Sequence, residues 1–379
     1  MPVSIRGMAV HCALGADRAA CVRALRNPGK PALETLPLPG AAEPPSASFY
    51  SLHGTNDPLA PGRMQSCLPA IVEAALNDAA LDARARRRLP VFVGSSCFNV
   101  RDSELAYAKA YAADASTALP MPHAELGHLA QEVCRVAGSH GPDFSFNSAC
   151  SSAANALLAA TRYLRAGLAQ HALVVGVELA NLASLAGFSA LQLLAEQVQP
   201  FAAGRRGVVL GEGMGAVVLE AHAPSRFRLV GGCSRVDTHS VTTAAPDGSS
   251  VAIAMTDAMQ DAGLAATDIR ALKAHATGTP ANDEAEARGL HRVFPTLPPV
   301  CVLKPWTGHT LGACGIVELV LFAGALEQGF IPGAPAHTPD PDLAITPLAA
   351  PVPAMPGHYL LNQFGFGGNN AVLALEMTC

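Results

Sequence analysis

The sequence predicts an α/β protein built from two similar halves, and three observations point that way. Short apolar runs rich in β-branched residues alternate with longer alanine-rich segments, the pattern of strands covered by helices. Half of the 379 residues are hydrophobic and only 15% are charged, which is enough apolar material for a large core. A faint repeat closes each half. A glycine turn leads into an apolar strand ending in Glu at 213–220, and again at 368–376. The joint falls near Pro224 and Ser225, giving an N-terminal half of residues 1–225 and a C-terminal half of residues 226–379. A site shared by such halves lies between them, fed by loops from both.

In chain order, buried strands are expected at 89–96, 171–179 and 215–221, then at 226–232, 269–276, 298–304 and 358–364. A short segment, 143–146, reads as the end of a further strand. Helices are expected at 68–81, 153–168, 251–262 and 315–326, where alanine and leucine favour the helical backbone. The last is apolar on every side except at Glu318, so it belongs inside the protein. The 34 glycines and 30 prolines are scattered as turn punctuation.

The totals exclude several classes. A formal net charge of −5 argues against general nucleic-acid binding. None of the ten cysteines forms a C-x-x-C pair, so no metal site is expected. The first residues lack the apolar stretch of a secretory signal, and no apolar run is long enough to suggest a membrane span. A reduced, cytoplasmic protein is the expectation.

Four pieces carry chemistry. In FNSACSSAANALLAA (146–160), Cys150 stands among small residues where a strand gives way to a helix. Unpaired N–H groups and the dipole at a helix N-terminus favour a thiolate, and small neighbours let a substrate approach. In KAHATGTPANDEAEARG (273–289), His275 ends a strand in a Thr/Gly/Pro loop, with Asn282 and Asp283 in the first turn of the next helix. In VCVLKPWTGHTLGACGIVELVLFAGAL (300–326), Lys304 ends a strand and His309 sits in a glycine-flanked loop. Glu318 follows as one acid in an apolar helix. A buried carboxylate needs a partner, and Lys304 is the obvious one. Finally, NQFGFGGNNA (362–371) is a glycine-dense loop able to bring backbone N–H groups close to a ligand.

In this order and spacing, the four pieces resemble the β-ketoacyl-[acyl carrier protein] synthases, condensing enzymes of the thiolase superfamily, of the synthase I/II type. The resemblance runs from GMAVHCALG (7–15) to FGFGGNNAVLALE (364–376). It implies a thiolase-like fold with duplicated halves in five layers, α-β-α-β-α. Cys150 matches the family nucleophile, His275 and His309 its two histidines, and Lys304 and Glu318 its buried lysine and glutamate. Phe366 matches the gating phenylalanine, whose amide would complete an oxyanion hole with that of Cys150. Thr277 and Thr279 resemble the threonines that bind the phosphopantetheine arm.

The implied reaction is acyl transfer to Cys150, then decarboxylative condensation with malonyl-carrier protein, without metal or dissociable cofactor. The histidines would stabilise the enolate, while Lys304 with Glu318 would hold the surroundings of His309.

Departures from the family pattern bear on the partner. Ala276 replaces the usual glycine after the first histidine, Ala202 and Arg206 stand where aspartates are common, and Gln199 replaces a docking arginine. The remaining basic positions for docking acyl carrier protein are Arg63, Arg205 and Arg206. These changes favour a specialised polyketide, aryl-polyene or unusual fatty-acid pathway over housekeeping synthesis. Rival readings are a non-condensing chain-length-factor-like subunit and a thiolase-type enzyme of coenzyme A esters. The strand entering Cys150, 142–148, is the expected dimer edge, in a homodimer or in a heterodimer with a homologous subunit.

Overall fold

Two five-stranded ladders with one shared plan organise the chain. The computed structural model describes residues 2–27, 29, 33–38, 46–119 and 126–379. The first ladder contains β1 (Val3–Cys12), β2 (Val91–Gly94), β3 (Asp143–Phe146), β4 (His171–Glu178) and β5 (Gly213–Ala221), in the order β1-β5-β4-β2-β3. The second contains β6 (Phe227–Val236), β7 (Ile269–Lys273), β8 (Val300–Cys301), β9 (Gly357–Phe364) and β10 (Asn369–Met377), in the matching order β6-β10-β9-β7-β8. In each ladder the first two pairings are antiparallel and the last two parallel. The ladders join where Val3 pairs with Leu229 and Ser4 with Arg228.

Helices pack on both sides of each ladder. Six of them, in chain order, are α1 (Arg63–Asp78), α2 (Leu126–Ala137), α3 (Ser152–Arg165), α4 (Ser249–Ala262), α5 (Pro280–Val293) and α6 (Cys314–Glu327). Two of them, α3 and α6, fill the space between the ladders. Helix α3 packs on β2 and β4 and also on β6 and β10, while α6 packs on β1, β5 and β9. Helices α1 and α2 cover the outer face of the first ladder. On the second, α4 lies against β6 and β10, with α5 beside it. This is the five-layered α/β arrangement. It explains why α6 is apolar all round, since every residue from Cys314 to Leu326 is buried. Gly315 lets the central helices meet, because a Cβ there would lie 2.5 Å from the Ala154 nitrogen.

The elements differ in detail from the expectation. Residues 298–304 shorten to the two-residue β8, and Lys304 opens a one-turn helix, Lys304–Thr307. Strand β1 carries Arg6 and His11 inside an apolar run, which hid it from a purely apolar criterion. Among the described residues, strand β3 is an outer edge, paired only with β2. Its Phe144 and Phe146 stack on Phe92, with ring centroids 4.8 and 6.3 Å away. Among the described residues, no helix is long and apolar enough to cross a membrane.

Candidate active site

Cys150 sits where the first ladder hands over to the central helix. Strand β3 ends at Phe146, and the chain turns through Ala149 at φ 49° before α3 begins. A side chain in that left-handed region is strained, so the turn needs support. Ser152 supplies it, donating to the Ala149 carbonyl (2.6 Å) and accepting from the Ser148 N–H (2.9 Å). The sulfur is buried at the wall of a cavity of about 940 Å³, counting its open mouth, which is also lined by His275, His309, Thr277, Thr279 and Phe366.

Burial sets the state of the sulfur. It pushes the Cys150 thiol up to about 11, against the pull of the Lys304 ammonium and of the backbone N–H groups of Phe366 and Cys150 itself. The helix terminus therefore does not enrich the thiolate as expected; desolvation outweighs it. Alkylation of Cys150 by iodoacetamide is expected to accelerate continuously from about pH 7 to about pH 10, with no plateau near the ordinary thiol value of about 8.5. A plateau there, read by peptide mass mapping, would contradict burial as the controlling factor.

Both histidines face the sulfur from the other half. His309 Nε2 lies 3.1 Å from Cys150 Sγ, and the His275 and His309 rings meet edge-to-face with centroids 5.4 Å apart. Burial first, then the Lys304 charge, drives both rings well below the usual histidine range, so both are neutral. Their tautomers follow from their neighbours. The Nδ1 of His275 lies 3.4 Å from the Lys304 ammonium, which can only donate, so the ring proton belongs on Nε2. The Nδ1 of His309 is buried with no partner among the described residues, and a buried lone pair is better tolerated there than an orphaned N–H. That reasoning also puts its proton on Nε2. The site thus offers two neutral N–H donors beside the Cys150 sulfur.

A fully buried charge cluster supports His275. Lys304 donates to the His275 carbonyl (2.6 Å) and to Glu318 Oε1 (2.8 Å). The expected Lys304–Glu318 pair is present, but it braces His275 rather than His309. Glu318 has a second cation that the sequence reading missed, since Lys273 bonds its Oε2. Burial pushes Glu318 up, yet Lys273 and Lys304 overcome this and hold its carboxyl at about 2. Glu286, also missed, accepts from the backbone N–H groups of His275 (2.8 Å) and Ala276 (2.7 Å). It thereby clamps Ala276 at φ 51°, where the family's usual glycine would fit without strain.

The last loop closes over Cys150. A Cβ on Gly365 would approach the Cys150 nitrogen to 3.1 Å. At Gly368 (φ 73°) a Cβ would lie 1.9 Å from the Asp237 carbonyl oxygen, so the loop tolerates only glycine there. Phe366 stacks on Phe188 with centroids 5.6 Å apart. Thr277 and Thr279 share a hydrogen bond of 2.8 Å beside the cavity.

Comparison with known proteins fits this geometry. Residues 57–224 match the family model described as β-ketoacyl synthase, N-terminal domain, and residues 227–337 match β-ketoacyl synthase, C-terminal domain. The chain belongs to the β-ketoacyl synthase family. It is 31% identical over 338 residues to 3-oxoacyl-[acyl-carrier-protein] synthase 2 of Staphylococcus aureus, covering 81% of this chain and 82% of that relative. A β-ketoacyl synthase from Burkholderia phymatum superposes with a TM-score of 0.83 at 25% identity, over 100% of both chains. A chain from the complex of the ketosynthase ApeO with its chain length factor ApeC, of Xenorhabdus doucetiae, gives 0.85 at 24% identity. It covers 100% of this chain and 98% of that one, and it bears on the thiolase-like fold alone.

For this β-ketoacyl synthase the docking positions need correction. Arg63 is buried, not a surface cation. It forms a two-point ion pair with buried Glu212 and also donates to the Pro58 carbonyl (2.6 Å) and to Thr55 Oγ1 (2.9 Å). Arg205 is half-buried and ion-paired with Asp340. Arg206 alone of the three is exposed.

Proposed function

We propose that this chain is a β-ketoacyl-[acyl carrier protein] synthase acting as an acyltransferase, with its two halves at 1–225 and 226–379 meeting at the site. One observation carries the reading: a buried thiol at a helix start, 3.1 Å from a neutral histidine, with a second histidine alongside. An acyl group arrives as a carrier-protein thioester. The bond from the acyl carbon to the carrier sulfur breaks, a bond to Cys150 Sγ forms, and the cysteine proton leaves on the carrier thiol. The amides of Cys150 and Phe366, which favour the thiolate form of the sulfur against burial, receive the thioester oxyanion.

Malonyl-carrier protein then loses CO₂, and its enolate oxygen is held by the Nε2–H groups of His275 and His309. The enolate carbon attacks the acyl carbon, the bond from the acyl carbon to Cys150 Sγ breaks, and the departing thiolate takes a proton from solvent. Thr277 and Thr279 bind the phosphopantetheine arm that carries both substrates, so no separate cofactor takes part. The product enters fatty-acid or specialised polyketide or aryl-polyene synthesis, and the partner is an acyl carrier protein docked near Arg206.

The histidines test this division of labour. His275→Ala and His309→Ala should still acquire an acyl adduct by intact mass while losing on the order of 10²–10³ of the condensation rate. Condensation at the parental rate in both variants would sink the assigned roles.

The open edge of β3 supports a dimer. An edge strand leaves unpaired backbone groups, and a two-fold partner satisfies them by extending the sheet. A homodimer is expected, with a heterodimer containing a homologous subunit as the alternative. Light scattering at micromolar concentration should give about twice the 38.9 kDa chain mass. An active monomer at that concentration would overturn the pairing.

A further inference from the structure

The charge cluster behind His275 contains one cation more than a single carboxylate can balance. The two oxygens of Glu318 are divided. Oε2 takes the Lys273 ammonium and the Gln363 amide (2.9 Å), while Oε1 takes Lys304 (2.8 Å). Lys273 also donates to the Asn362 carbonyl (2.6 Å) and is not part of the cavity wall. Lys304 reaches the other way, to the carbonyl of His275, whose ring lines the cavity. The next carboxylate, Glu286, accepts from the amides of His275, Ala276 and Asn362 and, among the described residues, forms no ion pair with either ammonium, so its charge acts on both lysines only from a distance.

We propose that Lys273 is a positioning residue: by engaging Glu318 from the strand side, it leaves the charge of Lys304 unbalanced toward His275 and Cys150. With Lys273 absent, Glu318 and Lys304 become a closed one-to-one pair, and their joint field at the sulfur is much weaker. Lys304 favours the Cys150 thiolate and adds to the burial that holds both histidines neutral, so its open charge bears on both half-reactions. Lys273 is surrounded by Glu318, Lys304, Glu286, Cys301 and Cys314, while the sulfur is also within the influence of His309 and Glu178. Of these charged groups, Lys273 and Glu318 make the direct contact whose loss changes the balance on Lys304.

The inference rests on Cys150 as the nucleophile, and its test reads that sulfur without requiring turnover. Iodoacetamide alkylation of Cys150 is followed by peptide mass mapping as a function of pH in three proteins: the parent, Lys273→Met and Lys273→Met/Glu318→Gln. The single variant should be alkylated about tenfold more slowly near pH 8, corresponding to about one unit in the thiol equilibrium. The double variant removes one positive and one negative charge and again leaves Lys304 open, so it should return to the parental profile.

A parental profile in the single variant overturns the proposal. So does a double variant as slow as the single one, which would mean that Lys273 acts through shape. If only the double variant folds, its profile decides in the same way; if neither folds, Lys273 serves stability alone and the proposal fails. Failure of the functional reading looks different, because carrier-delivered acyl label in the parent would then map to a residue other than Cys150.

Discussion

Cys150→Ala is expected to acquire no acyl adduct from any acyl-carrier protein and to lose condensation by on the order of 10⁴–10⁶, the cost of removing a covalent nucleophile. The sulfur is the atom on which the site converges. His309 Nε2 approaches it to 3.1 Å, and the amides of Phe366 and Cys150 favour its thiolate form. Alanine keeps the helix start and loses the bond-forming atom, so the fold should survive. Cys97→Ala is the control, since Cys97 is held by Ser184 at 2.9 Å and should leave the adduct in place. Acyl mass persisting on the Cys150→Ala protein would move the nucleophile elsewhere.

Why these residues could be singled out before any coordinates is a matter of range. Cys150, His275, His309 and Phe366 each lie in a short stretch of small, glycine or threonine residues whose local composition marks a turn beside a strand or helix end. The duplicated ladders were visible for a similar reason, because the glycine turns entering β5 and β10 repeat one local pattern. Arg63 was misread because its partner, Glu212, lies 149 residues away on the far side of the half. A charge count cannot distinguish an inward arginine from a surface one.

Lys273 does not stand out in the sequence, because it ends an apolar strand, IRALKAHA, as lysines often do. Only the packing of α6 against that strand's neighbours brings Glu318 to it. The thiol follows the same rule: the pull of the helix terminus is local and legible, whereas the desolvation that outweighs it comes from both halves closing together.

That long-range cluster also reverses an expectation about stability. From the sequence, Lys304→Ala would strand Glu318 without a partner. In the structure Lys273 remains, so removing Lys304 leaves a balanced one-to-one pair and its larger effect falls on His275. Removing the carboxylate is the worse change. Glu318→Leu leaves the Lys273 and Lys304 ammoniums buried together with no counter-charge in contact, which should cost about 3–5 kcal/mol.

The stabilisation from Glu318 is fully present above the unfolded carboxyl value of about 4.3 and is lost as pH falls toward about 2, so neutral pH exposes the whole difference. Trp306, the only tryptophan, is buried two residues from Lys304 and donates to the Gly333 carbonyl at 2.9 Å, so its fluorescence reports unfolding at the cluster itself. In urea the midpoint should fall furthest for Glu318→Leu and less for Lys304→Met, while condensation by the folded protein should fall sharply in Lys304→Met. A Glu318→Leu midpoint at or above that of Lys304→Met would show that Glu318 does not bind the two cations together, and the account of the cluster would fail.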